Sequence, residues 1–227
     1  MNGEQLLKER LSRNWEQQNA AIRLKVSQPY LSLIESGKRP VTEKLAKRAV
    51  KVFSLPPTAL PVKETPELSR TKNENLLASQ LAGLGYPEFS HLKKTRKVNP
   101  TIVLSTALEI DDLDSRVVEA LPWLIFNFPE MDWLRVVDNA KLCDAQNRLG
   151  FLLSLALIAA KQTKDENKKD LFKDLLAGLE KSRLASGDSF RRKALTEAEK
   201  AWLKEKRSKD ARHWRVLSNL SIEHLIF

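Results

Sequence analysis

Between Trp15 and Pro40 the chain (WEQQNAAIRLKVSQPYLSLIESGKRP) has room for two short helices and almost nothing else. Ala20, Ala21 and Leu24 put small and apolar groups on one face of the first, and Val26, Leu31 and Ile34 do the same for the second. Only Lys25 and Val26 remain for the turn, so the helices must cross steeply. The two alanines are small enough to let the second helix close against the first. Ser27 is a good N-cap, because its hydroxyl can accept from an orphan N–H of the first turn. Pro29 falls in that turn, where a missing N–H removes no bond. Ser36-Gly37 ends the second helix, since glycine takes the left-handed conformation cheaply.

A tight helix pair whose second member opens on an exposed polar stretch is the helix-turn-helix layout. Residues 4–60 resemble the Cro/CI-type (XRE family) helix-turn-helix domain of phage repressors and bacterial regulators. The matching pieces are Arg10 on the first helix, Gln17 opening the second, Ala21, Val26-Ser27, Ser32, Ile34-Glu35, Gly37-Lys38-Arg39-Pro40 and the closing helix and turn to Leu60. The resemblance implies a lambda-repressor-like domain of five helices with double-stranded DNA as partner. It also implies that Gln17 holds a phosphate and that Arg10 pairs with Glu35. The departures are local. The loop from Leu11 to Glu16 lacks the usual glycine, so Asn14 is expected in its left-handed role. Lys25 stands where glycine is common, and Pro29 and Tyr30 are unusual at the recognition surface.

The chemistry of these positions suits DNA. Gln17 and Gln18 open a helix whose N–H groups and dipole favour a phosphate. Lys38 and Arg39 follow the recognition helix and would reach the backbone. Base reading falls to the exposed start of that helix, from Ser27 onward. The Gln28 amide can pair with adenine N6 and N7, and Ser32, one turn on, can donate or accept at a base edge. Pro29 could touch a thymine methyl. Tyr30 either reaches a base or phosphate or packs against the preceding helix.

Charge agrees with a polyanionic partner. Residues 1–64 carry 12 basic and 6 acidic groups, residues 65–160 carry 10 and 12, and residues 161–227 carry 17 and 11. Two basic ends thus flank a near-neutral middle, which suits nucleic acid at the first end and leaves the last open between a second contact and a solvated lysine-rich surface. The one cysteine, Cys143, rules out an internal disulfide. No signal peptide is expected, since Met1-Asn2-Gly3-Glu4 leads straight into an amphipathic helix, and the longest apolar run, Phe151 to Ala160, is about half of what a bilayer requires. A cytoplasmic protein with no membrane association is expected.

Helical periodicity continues throughout, so the expected fold is all-α. A first helix from Gly3 to Ser12 carries Leu6, Leu7 and Leu11, and Thr42 caps a fourth with Leu45, Ala46, Ala49 and Val50 buried. These elements define a DNA-binding domain over residues 1–62. Residues 63–73, polar with a proline, read as a linker. Residues 74–227 read as a helical bundle for dimerisation or partner binding. Its expected helices are Glu74–Leu84, Pro100–Leu108, Arg116–Phe128 with Pro122 starting or kinking it, Met131–Leu142, Ala145–Gln162, Asp165–Leu184, and one capped by Thr196 with Glu199 as a capping box. On the fourth of these, Trp133, Leu134, Val136 and Val137 are expected on one side. The apolar tail from Ile222 either docks on this core or joins an interface.

Catalysis has little to stand on. His91, His213 and His224 lack metal-ligand spacing, and no H-E-x-x-H, glycine-rich phosphate loop or nucleophile elbow occurs. No cofactor and no metal are expected. The reading is a sequence-specific DNA-binding repressor, expected to act as a homodimer on half-sites roughly 34 Å apart. Asp114 to Leu124 together with Ala145 to Gly150 resembles XRE-type proteins encoded beside toxin genes. That resemblance implies an antitoxin that represses its own operon and binds a toxin through the helical domain. The competing readings are a ligand-responsive regulator and a protein-interaction module whose helix-turn-helix does not bind DNA.

Overall fold

The computed structural model describes residues 1–62, 74–93, 97–190 and 195–225. The expected linker (63–73), part of the basic loop (94–96) and the last two residues of the tail lie outside the described residues. The chain divides into two compact units, Met1–Lys63 and Glu64–Phe227. Both are helical. Among the described residues no strand forms, and a parallel bridge joins Asp188 to Val216.

The first unit holds α1 (Gly3–Leu11), α2 (Gln17–Leu24), α3 (Gln28–Glu35), α4 (Glu43–Val52) and a 3-10 turn over Pro57–Ala59. The fifth helix expected here is therefore one turn only. Leu60 is extended at ψ 146°, because the Pro61 that follows disfavours the helical region for the residue before it, and the turn goes no further. Asn2 caps α1 in a reciprocal capping box with Gln5, and Thr42 caps α4. Leu6, Ala20, Ala21, Leu24, Leu31, Ile34, Leu45, Ala49 and Phe53 form one buried cluster. Leu11 does not join it and is exposed, because α1 ends there and the chain turns away at Ser12.

The second unit comprises α5 (Glu74–Leu84), α6 (Pro100–Glu109), α7 (Ser115–Asn127), α8 (Trp133–Leu142), α9 (Gln146–Gln162), α10 (Glu166–Glu180), α11 (Glu197–Lys206) and α12 (Lys209–His213). The middle of this unit is α9, against which α7, α8, α10 and α12 pack. A surface helix buries one stripe, whereas α9 buries residues all round. Its close contacts explain two residue choices. A Cβ at Gly150 would lie 2.4 Å from the Trp214 ring, so only glycine lets the indole lie there. The indole N–H then donates to Ser154 Oγ at 2.9 Å, and that hydroxyl donates to the Gly150 carbonyl at 2.9 Å.

Pro122 lies inside α7, which starts at Ser115 under an Asp114 cap, so the proline does not begin the helix. On α8, Val136 is buried, but Leu134 is 76 % exposed and does not share its side. The reason is angular: two residues on a helix differ by about 200°, so only one of the pair can face α6 and α9. The tenth helix stops at Glu180 instead of Leu184. Beyond it the Leu184 N–H donates to Asn147 Oδ1 at 2.9 Å, while the Asn147 amide donates to the Leu184 carbonyl at 3.1 Å. Those bonds to α9 replace the helical ones. Thr196 and Glu199 make the expected capping box. Ile222 and Leu225 pack against the core.

Candidate nucleic-acid interface

The corner between α2 and α3 is built by backbone that a sequence pattern alone would resist. Lys25 ends α2 with φ 52°, in the left-handed region, and its N–H returns to the carbonyls of Ala21 and Ile22. A non-glycine residue there costs about 1–2 kcal/mol. The offset comes from α4. Arg48 donates through Nη1 to the Leu24 carbonyl and, at 3.1 Å, to the Lys25 carbonyl. A guanidinium at the C-terminal end of α2 also meets the negative end of its dipole. Asn14, in the loop before α2, is left-handed at φ 54°.

Beneath the corner, Ala20, Ala21 and Leu24 on α2 meet Leu31 and Ile34 on α3, all buried. The opposite side of α3 is open. Gln28, Pro29 and Ser32 are exposed, and so are Gln18 on α2 and Lys38 and Arg39 after Gly37. Gly37 takes φ 75°, which turns the chain out of α3. Ser27 caps α3, its hydroxyl accepting from the Tyr30 N–H at 3.4 Å. The Tyr30 side chain divides its faces: it packs partly on the first-unit core, and the Arg39 guanidinium lies 5.7 Å from its ring centroid.

A chain of side-chain bonds runs from the interior to this surface. Arg10 Nε and Nη2 donate to the two Glu35 carboxylate oxygens at 2.8 and 3.0 Å, the bidentate arrangement a guanidinium makes best. Arg10 also donates to the Trp15 carbonyl at 2.8 Å. The Gln17 amide donates to Glu35 Oε2 at 2.9 Å. Gln28 Nε2 then donates to Gln17 Oε1 at 3.0 Å. The ion pair is mostly shielded, with 12 % and 5 % of the two side chains exposed. Gln28 is thereby held by one N–H and keeps the other, together with its carbonyl oxygen, for a partner. One donor beside one acceptor on a fixed amide is the pattern that matches an adenine edge in the major groove.

Two features here lie beyond local sequence reading. The Gln17–Gln28 bond spans eleven positions, and the Arg48 cap crosses from another helix. Neither leaves a periodic signal. Basic groups nonetheless surround the corner: Arg23, Lys25, Lys38 and Arg39 are all exposed. No side chain caps α2, since Glu16 at its N-cap makes no such bond, so the N–H groups opening at Gln17 and Gln18 have no side-chain partner there.

The helix-turn-helix family model matches residues 6–60. The N-terminal unit is thus the domain of a DNA-binding transcription regulator. More narrowly, it is a helix-turn-helix domain of the Cro/CI, or XRE, type, joined to a helical C-terminal region. No curated protein and no solved structure matches the chain. Among the described residues no helix is long and apolar enough to cross a membrane.

Proposed function

We propose that this chain is a sequence-specific repressor that reads its operator with Gln28 and Ser32, and that Gln17, Gln18, Lys38 and Arg39 hold the flanking phosphates. Ser27 and Pro29 border the reading edge, and Tyr30 faces it beside Arg39. The observation that carries the reading is the Arg10–Glu35–Gln17–Gln28 relay, which holds an exposed amide in one orientation before any DNA arrives. A free surface glutamine would lose side-chain entropy on binding, and a preoriented one loses less. The test is a gel shift with the DNA upstream of the gene. A bidentate contact is worth about 1–3 kcal/mol of base discrimination, so Gln28→Ala with Ser32→Ala should abolish the specific shift while helicity is kept. An unchanged shift would mean that the corner is architectural and the protein an interaction module.

Homodimerisation and an antitoxin role belong to the same proposal. Both need a surface on the C-terminal unit. The segments that resemble toxin-linked proteins are largely buried, including Val117, Val118, Leu121, Leu149 and Gly150, so these residues build the core. Leu134 and Leu142 of α8, 76 % and 84 % exposed, offer apolar contact instead. Sedimentation of the Leu134→Glu, Leu142→Glu variant should show a monomer if α8 is the dimer face. Rescue from the product of an adjacent toxin-like reading frame tests the antitoxin role, and failure to rescue sinks it.

Ligand response has one observation in its favour. A cavity of about 230 Å³ in the C-terminal unit is lined by Leu113, Val118, Phe190, Trp202, Leu217 and Leu220, among others. A melting shift with a small apolar compound and no protein partner would support that reading.

A further inference from the structure

The corner between α11 and α12 carries five basic residues in nine positions, 204–212, against Glu205 and Asp210. On α10 and at the start of α11, lysines are neutralised by carboxylates within a turn. On α10, Lys168 pairs with Asp165, Lys169 with Glu166 and Lys173 with Asp170, each three residues away. At the start of α11, Lys200 pairs with Glu197 at 2.7 Å. The corner is different. Among the described residues, no carboxylate lies within ion-pairing distance of Lys204, Lys206, Arg207, Lys209 or Arg212. The two guanidinium groups are bound, but by neutral carbonyls. Arg207 Nε donates to the Lys204 carbonyl at 3.3 Å, and Arg212 Nη2 to the Glu205 carbonyl at 3.2 Å. The second bond ties α12 to the end of α11, and both leave the charge uncompensated. The Lys204, Lys206 and Lys209 side chains are exposed around them.

We infer that this corner is a second DNA contact, binding the phosphate backbone of a duplex without reading its sequence. Like charges crowd one rigid corner at an electrostatic penalty unless a polyanion neutralises them, and phosphate is the anion that a planar guanidinium and nearby ammonium groups suit. Duplex DNA is the polyanion chosen because the same chain carries a helix-turn-helix domain that brings it there. The inference rests on that domain being a DNA binder. It does not depend on which base Gln28 reads.

The test uses the full chain and a random-sequence duplex, so operator recognition does not enter. One variant carries Lys204→Gln, Lys206→Gln and Lys209→Gln. A control carries Lys168→Gln, Lys169→Gln and Lys173→Gln, which removes the same charge from paired lysines. Circular dichroism confirms that both fold. Each lost phosphate contact lowers the slope of log affinity against log salt by about 0.9, so the corner variant should lose up to about 2.7 of slope and bind several-fold more weakly in 0.1 M salt. The control should lose much less. Equal losses in both variants would overturn the inference, because net charge alone would then explain the binding. Unchanged affinity in the corner variant would also overturn it and assign these cations to an acidic protein partner. Loss of operator binding in Gln28→Ala, Ser32→Ala with random-duplex binding retained keeps the two readings separate.

Discussion

Replacing Glu35 tests whether the relay supports the domain as well as the interface. Glu35→Ala removes a carboxylate that accepts bonds of 2.8, 3.0 and 2.9 Å from Arg10 and Gln17. It leaves the Arg10 guanidinium, only 12 % exposed, with the Trp15 carbonyl as its remaining partner. Breaking a fully buried pair costs about 3–5 kcal/mol. This pair sits at the edge of its domain and water can reach part of Arg10, so about 2–3 kcal/mol is expected. Replacing both partners with apolar groups, Arg10→Met with Glu35→Leu, should restore stability to within about 1 kcal/mol, because no charge is then stranded. DNA affinity should not return, since Gln17 and through it Gln28 have lost their anchor. Hydrogen exchange on the full chain, read over peptides from residues 17–35, measures the first unit without interference from the second. A Glu35→Ala loss below about 0.5 kcal/mol would show a solvated surface pair and refute the reasoning. Normal operator binding by the double variant would refute the part assigned to Gln28.

Three further predictions concern the second unit. Arg148 and Asp188 lie 3.2 Å apart with 1 % and 4 % of their side chains exposed, and Arg148 Nη1 donates to the Ile110 carbonyl at 2.9 Å. Arg148→Ala should therefore lower stability by about 3–5 kcal/mol in denaturant titration, far more than any surface arginine. Gly150→Ala drives a methyl into the Trp214 ring and should cost about 1–3 kcal/mol, whereas Gly178→Ala, which meets nothing, should be neutral or mildly stabilising by melting temperature. Burial, and after it the Glu88 carboxylate that accepts from its hydroxyl at 3.2 Å, raises the Tyr86 phenol well above its ordinary range. The folded state therefore keeps its proton where the unfolded chain loses it. The contribution is intact below about pH 10 and is lost as pH climbs from there through the raised value. A Tyr86→Phe variant should lack that part of the alkaline fall in melting temperature.

Much of this protein is visible in local pattern because its elements are set by neighbours in sequence. Ser27, Thr42 and Thr196 sit at N-caps because a hydroxyl must meet an N–H three residues on. Ala20, Ala21, Leu31 and Ile34 follow the helical period that buries one face. Asn14 takes the left-handed role expected of it in a loop without glycine, whereas Lys25 takes the same conformation with Arg48 of α4 bound to its carbonyl. The net charge at each end follows from composition alone. Contacts between positions far apart required the tertiary structure. Arg10 and Glu35 were joined in sequence only by resemblance, and the bonds that extend the pair to Gln17 and Gln28 have no signature at all. The same holds for Arg48 on the end of α2, for Arg148 against Asp188, and for Trp214 over Gly150. Periodicity specifies which face of a helix is apolar, but not which charged side chain from another helix will meet it. That choice depends on how helices pack, and it decides which glutamine is held still and which lysines are left without a counter-charge.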